Sequence, residues 1–190
     1  MAATDKVVPY FDISFQHASN AVLRKMRRFG DPESFVNLIE RVRQRVPHAG
    51  IRSNFIVGFP GESVDDVDTL MAFLEEARLD AIGVFAYSDE DNTEAATFTD
   101  KLEADEIAAR RDSVSALADE LVAQRAEDRI GEESTMLVEV SGEATVGRVQ
   151  TQGPEVDGET LVHGVHPVGA VVPVRIVDAQ GADLVAEVIE

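Results

Sequence analysis

The stretch from Ile51 to Ser63, IRSNFIVGFPGES, constrains the fold of this chain more than any other. It opens apolar and β-favouring, with Phe55, Ile56 and Val57 in succession, breaks at Gly58 and turns at Pro60-Gly61. Apolar residues then recur at Val67, Leu70, Met71, Leu74 and Ala77, the spacing of one helix face. Ser63 stands where an N-cap belongs, with Asp66 three residues on as the acid of a capping box. The pattern predicts a buried strand, a glycine-rich turn and a capped helix. Such a junction directs backbone N–H groups and a positive helix end toward whatever lies above the strand. An ordinary βα turn without a ligand satisfies the same pattern.

The flanking segments repeat the alternation. VVPYFDISF, residues 7–15, reads as a short buried strand whose regular pairing starts after Pro9. QHASN follows as a polar turn, and Ser19 or Asn20 caps a helix with Val22, Leu23 and Met26 on its apolar side. That helix carries Arg24, Lys25, Arg27 and Arg28 and is expected to stop at Gly30. Four cations together form either a solvated face paired with nearby acids or a contact for an anion or substrate. A second helix opens near Pro32, with Phe35, Leu38, Ile39, Val42 and Val46 on its inner side. LDAIGVFAYS, residues 79–88, is a further apolar strand, followed by the polar loop DEDNTEAA. A long packing helix over residues 103–128 carries Ile107, Val114, Leu117, Ala118, Leu121 and Val122 on one stripe. Strands that each lead into a helix imply an α/β arrangement, a parallel sheet with helical crossovers.

The character changes at Ile130-Gly131. MLVEV, VGRVQTQ, TLVHG, AVVPVRIV and LVAEVI are short β-rich runs separated by turn-forming clusters. Five such strands in about 60 residues read as a small all-β, OB-like barrel. The boundary is expected at residue 130, giving units 1–129 and 130–190.

Charge limits the partners. The chain has 36 acidic and 17 basic residues, a net charge of −19. In the second unit Arg148 and Arg175 face 11 acidic residues, and no Phe, Tyr or Trp follows residue 98. Barrels of this type bind single-stranded nucleic acid through basic grooves and aromatic side chains, so RNA is disfavoured and a basic partner favoured. A compositional bias toward acids explains much of the charge equally well. There is no cysteine, hence no thiolate for zinc or an iron–sulfur cluster. His17, His48, His163 and His166 are too scattered to suggest a metal site, and no catalytic residue is assigned. No apolar run reaches the ~18 residues of a membrane span, and MAATDK lacks the apolar core of a signal peptide. A cytoplasmic location with no membrane contact is expected.

YFDISFQHAS, MRRFG, GIRSNFIVGFPGES, LDAIGVFAYSDED and QGPEVDG together resemble the methylthiotransferases of the radical S-adenosylmethionine (SAM) class. QHAS narrows the likeness to the RimO type, which modifies an aspartate of ribosomal protein twelve of the small subunit. The tRNA-modifying siblings usually carry QSGS at that place. The last 60 residues resemble the TRAM domain that ends these enzymes. The resemblance implies the later part of a radical-SAM, TIM-like parallel βα barrel followed by TRAM. It implies SAM as cofactor, [4Fe–4S] clusters in the full-length enzyme and a basic ribosomal protein as substrate. The cysteine loop that holds the SAM-binding cluster has no counterpart here. The chain is therefore expected to be a truncated product or a fragment that does not catalyse methylthiolation alone. A non-catalytic TRAM module that binds a ribosomal protein or RNA is one alternative, and the tRNA-modifying sibling methylthiotransferase is another.

Carried onto this sequence, the family's SAM pocket falls on Gln16 and Ser19 at the first strand end, Asn54, Ile56 and Gly58 along the second, and Phe59 and Tyr87 at the border. Gln16 and Ser19 meet the ribose or methionine part, and Ile56 packs on the adenine. Ile56 and Phe59 serve equally as plain core. Arg28 and Arg52 are secondary candidates for a carboxylate contact. The same positions suit the general tendency of parallel strands to hold ligands at their C-terminal ends.

Overall fold

The computed structural model describes residue 4 and residues 7–189. Three strands, β1 (Tyr10–Asp12), β2 (Gly50–Val57) and β3 (Ala81–Ala86), form a parallel sheet in the order β1-β2-β3. Pairing begins at Tyr10, directly after Pro9, because proline has no N–H for the ladder. The strand expected over residues 7–15 is shorter than its apolar run. The ladder ends at Asp12, and one bridge from Gln16 to Phe55 resumes the contact. Gln16 has a φ of 72°, a left-handed conformation that turns the following residues out of the sheet.

On β2, Ile51, Ser53, Phe55 and Val57 are buried, whereas Arg52, Asn54 and Ile56 are half-buried. The two-residue period of a strand puts these sets on opposite faces. The buried set packs against α2 (Pro32–Arg45) and α3 (Val64–Ala77), with Ile39, Leu70, Phe73 and Leu74 in the same core. Phe73 lies 5.8, 5.9 and 6.0 Å from the rings of Phe15, Phe35 and Phe55, mostly edge-on. Asp31 and Ser63 each close a capping box on α2 and α3. Ser19 caps α1 (Asn20–Lys25). That helix stops before Gly30: Arg27 has a φ of 56°, and the Arg27 and Arg28 N–H groups bond Arg24 O and Leu23 O. This is a Schellman ending with arginine where glycine is usual. The long α4 (Ala104–Glu127) lies against β3 and buries Val114 and Ala118.

The second unit is a closed barrel of β4 (Glu133–Val140), β5 (Ala144–Val149), β6 (Thr160–His163), β7 (Val171–Gln180) and β8 (Asp183–Val188). Its strands run in the cyclic order β4-β5-β6-β8-β7. Met136, Val149, Val162, Val174, Ile176 and Leu184 fill it. The expected architecture, a partial parallel βα barrel followed by a small OB-like barrel, is the one observed.

Two buried carboxylates lie at the joint of the units, Asp157 spanning it directly and Asp80 through Arg129, which bonds Glu132 at 2.8 Å. Asp80, just ahead of β3, accepts from the Ile51 N–H at 2.8 Å and from Arg125 Nε at 2.9 Å, and it also pairs with Arg129. Asp157, between β5 and β6, accepts from the Tyr10 hydroxyl and, at 2.8 Å, from the Gly153 N–H. Among the described residues no helix is long and apolar enough to cross a membrane.

Candidate ligand cleft

A cleft of about 790 Å³ opens at the C-terminal end of the parallel strands. Five of the seven residues singled out from the sequence line it: Gln16, Asn54, Ile56, Phe59 and Tyr87. Asn54 and Ile56 reach it from the half-buried face of β2. Asn54 has room because the neighbouring β3 position is Gly83, where a Cβ would lie 2.3 Å from Asn54 Oδ1. Phe59 sits edge-on to Tyr87 with ring centroids 5.1 Å apart. The Tyr87 hydroxyl donates to Asp89 at 2.8 Å. Burial first, and then the bond and charge of Asp89, push this phenol up to about 12, so it remains a hydrogen-bond donor at neutral pH.

The walls carry opposite charges. Lys25 Nζ bonds Asp100 at 2.6 Å and Pro60 O at 3.2 Å, and Arg27 grips Glu94 through two bonds of 2.6 and 2.7 Å. Two of the four cations on this segment are thus tied to the loop after β3. Arg28 also lines the cleft; it donates to Ser14 O at 3.1 Å. Arg52, on the same face of β2, donates through Nη2 to Asn54 Oδ1 at 3.2 Å and lies 4.0 Å from Asp12 and 3.7 Å from Asp157. Gly61 stands where this strap crosses the turn. With φ at 71°, a Cβ there would fall within 2.1 Å of Lys25 Nζ and Asp100 Oδ2.

Ser19 and Gly58, the other two residues singled out from the sequence, do not line the cleft. The left-handed turn at Gln16 carries Ser19 beneath the sheet, where its hydroxyl caps α1 and donates to Asp66. Gly58 faces α4: a Cβ would lie 2.6 Å from Ile107 Cγ2. Its N–H is taken by both oxygens of Glu62, at 2.9 and 3.0 Å. The Gly61 and Glu62 N–H groups of this turn are likewise taken within the chain, by Asp100 O and Phe59 O.

Glu62 heads a buried network that the sequence did not reveal. Arg110 Nη1 lies 2.9 Å from Glu62 Oε1 and also bonds its main-chain oxygen. His17 Nδ1 accepts from the Ser19 N–H, which leaves the ring proton on Nε2, 3.3 Å from Glu62 Oε2. Burial alone would raise the Glu62 carboxyl. The contacts from His17, Arg110 and the Gly58 N–H outweigh it and hold the group below the usual glutamate range. The network ties the QHAS turn, the GFPGE turn and α4 together behind the cleft. No spacing signals it, since residues 17, 62 and 110 are distant in sequence.

The cleft chemistry suits a nucleoside-bearing molecule. The amides of Gln16 and Asn54 match ribose hydroxyls or an amino-acid moiety, and Ile56, Phe59 and Tyr87 offer apolar and aromatic surface to a base. An iron–sulfur cluster does not fit these residues, for the chain has no thiolate to offer. Among the described residues no group of three or more His, Asp or Glu side chains is placed to hold a metal ion.

Two family models match the chain. Residues 2–74 match the radical SAM superfamily and residues 130–189 the TRAM domain. The fold and cleft thus define a radical SAM segment that leads into a TRAM barrel. The chain is 60% identical over 188 residues to the ribosomal protein uS12 methylthiotransferase RimO of Saccharopolyspora erythraea, covering 97% of this chain and 39% of that protein. The protein of the same name from Cutibacterium acnes is 58% identical over 186 residues, with 97% and 39% covered. That of Kineococcus radiotolerans is 57% identical over 197 residues, with 98% and 40% covered. The chain belongs to the radical SAM methylthiotransferase family and corresponds to the C-terminal part of these relatives. It spans about two fifths of the length of the curated relatives it matches. The family likeness drawn from QHAS, GFPGES and QGPEVDG therefore holds.

Proposed function

We propose that this chain supplies the nucleoside-binding floor of a SAM site and the substrate platform of an enzyme that methylthiolates an aspartate of ribosomal protein uS12. Residues 1–129 are the radical-SAM portion and 130–190 the TRAM domain. The observation that carries the reading is the cleft at the strand ends, lined by Gln16, Asn54, Ile56, Phe59 and Tyr87. Gln16 and Asn54 hold the ribose or the methionine part, Ile56 packs on the adenine, and Phe59 with Tyr87 excludes water from one side. Bound there, SAM supplies the sulfonium that a reduced [4Fe–4S] cluster cleaves. No residue of this chain can ligate that cluster, so the chain alone does not catalyse the reaction.

The barrel favours a basic protein over RNA. Its two cations are already spent on carboxylates: Arg148 bonds Glu139 at 2.8 Å and Arg175 bonds Glu133 at 2.6 Å. Little positive charge remains for phosphates, whereas an acidic surface attracts a basic ribosomal protein over a screening length. Such a substrate is met in the cytoplasm. The closed barrel also supports the second reading, a binding module without catalysis of its own.

The test is a titration of the isotope-labelled chain with S-adenosylhomocysteine, followed by NMR. Weak binding is expected, with shifts confined to Gln16, Asn54, Ile56 and Tyr87 and abolished by Asn54→Ala. Shifts confined to the barrel, or none at the solubility limit of the ligand, would overturn the proposal.

A further inference from the structure

The joint between sheet and barrel holds a second, partly open cavity, of about 20 Å³, lined by Asp80, Arg125, Arg129, Thr151, Gln152 and Asp157 among others. Two polar atoms of its lining residues are buried without a hydrogen-bond partner, Gln152 Nε2 and Asp157 Oδ1. The residues are 5% and 6% exposed. Buried polar atoms left unpaired are rare, and each calls for a partner. The orientation of the amide is fixed. Gln152 Oε1 accepts from the Val149 N–H at 3.1 Å and from the Thr160 hydroxyl at 2.6 Å, and two donors cannot face an NH₂ group. Asp157 is equally constrained, because its Oδ2 takes the Tyr10 hydroxyl and the Gly153 N–H while Oδ1 lies 3.7 Å from Arg52 Nε.

We infer that this joint is a binding site for one water molecule, which accepts from Gln152 Nε2 and donates to Asp157 Oδ1. A water needs roughly 10–15 Å³ of such volume and at least two polar partners, and the cavity supplies both. Its size excludes larger molecules. The donor on Gln152 opposes a cation and the carboxylate of Asp157 opposes an anion, so a neutral molecule able to donate and accept is selected. The water completes a chain from the barrel through Asp157 to Tyr10 on β1 and Arg52 on β2. Asp157 reaches those strands by its direct contacts to Tyr10 and Arg52, and the water holds Asp157 to Gln152 within the barrel segment. QGPEVDG, the barrel segment that resembles the family, supplies both protein partners.

Two measurements on the full chain test this. In water-selective NMR the Gln152 side-chain amide should show a cross-peak to water whose NOE-to-ROE ratio marks a long-lived molecule. A high-resolution crystal structure should show one density peak within hydrogen-bond distance of both atoms. Density that needs an ion, or a direct Gln152–Asp157 bond, would overturn the inference. The variant Gln152→Glu keeps the Oε1 acceptor but sets a second carboxylate across the cavity. It should lower the folding equilibrium constant roughly tenfold, the scale of one badly satisfied buried group. Adding Asp157→Asn exchanges donor and acceptor and should recover most of that loss. Purely additive losses would sink the bridge, and the wild-type measurements stand even if a variant does not fold.

Discussion

In the barrel every strand has two neighbours, with β7 pairing both β8 and β4, so no backbone edge is left over. In the parallel sheet only β2 has two; β1 and β3 each pair on one side. The faces differ in the same way. Strands β4 to β8 turn one face into a common apolar interior. The sheet covers one face with α2, α3 and α4 but leaves Arg52, Asn54, Ile56 and Phe85 half-buried or exposed on the other. Closure and function thus divide along the chain. The barrel closes its backbone ladder on itself, while the sheet keeps a polar and aromatic face available, and the cleft forms there.

The strongest way to break this comparison is to empty one core and watch the other. Phe73→Ala removes a ring, 1% exposed, that contacts three other phenylalanines. It should destabilise the sheet by about 3–5 kcal/mol, the range for deleting a buried aromatic side chain. Hydrogen exchange should then show fast exchange in β1 to β3 while β4 to β8 stay protected, because the Met136 and Ile176 core does not touch Phe73. Equal loss of protection in both units would show that the Asp80 and Asp157 joint makes them one cooperative body.

A change at Glu62 sharpens the same contrast through pH. Glu62 is buried beside the cleft in the α/β unit, whereas the barrel is filled by the apolar cluster of Met136, Val149, Val162, Val174, Ile176 and Leu184. A carboxylate whose folded pKa is depressed contributes stability that is fully present above its unfolded pKa and is lost as pH falls through the folded value. Glu62 is such a group, so acid should loosen the cleft end first, below the ordinary glutamate range. Glu62→Gln leaves Arg110 and His17 facing a neutral amide and should cost about 2–3 kcal/mol at neutral pH. Its denaturant midpoint should vary less with pH on the acid side than that of the wild type. A parallel pH dependence in both proteins would place the titrating group elsewhere.

What the sequence disclosed follows the range of the interactions. The strand from Gly50 to Val57, the cap at Ser63 and the five barrel runs rest on residues at most a few positions apart, and pattern and capping rules read such distances. Gln16, Asn54, Ile56, Phe59 and Tyr87, which strand ends and family likeness both point to, line one cleft. Ser19 and Gly58 do not line it, because their surroundings are set from afar. One is turned away by a left-handed residue that looks like any glutamine; the other is held by a carboxylate that reads as an ordinary surface acid. The joint is equally silent, since Asp80 meets Arg125 and Arg129 only after α4 has folded back. Arg27 at the end of α1 misled for a local reason: glycine at position 30 advertised a stop that arginine had already made.

The smallest effect is expected at the cap of α3, where the α/β unit depends on a device the all-β barrel cannot use. Ser63 Oγ accepts from the Asp66 N–H at 3.2 Å, and Asp66 accepts the Ser63 N–H at 2.9 Å. Asp66 also takes the Ser19 hydroxyl, so the box ties α3 to the start of α1. Burial would raise the Asp66 carboxyl, but the bonds from Ser19 and Ser63 hold it below the usual aspartate range. Ser63→Ala deletes the acceptor for one N–H and the hydroxyl that donates to Asp66 Oδ2 at 2.6 Å, and leaves the Asp66 bonds to Ser19 and to the main chain in place. The loss should be about 1 kcal/mol, the usual value for an N-cap serine, read as a shift in urea midpoint with unchanged slope. Exchange should quicken in the first turn of α3 and nowhere in β4 to β8. Faster exchange in the barrel from so local a change would mean that its closed ring borrows stability from the helices across the joint.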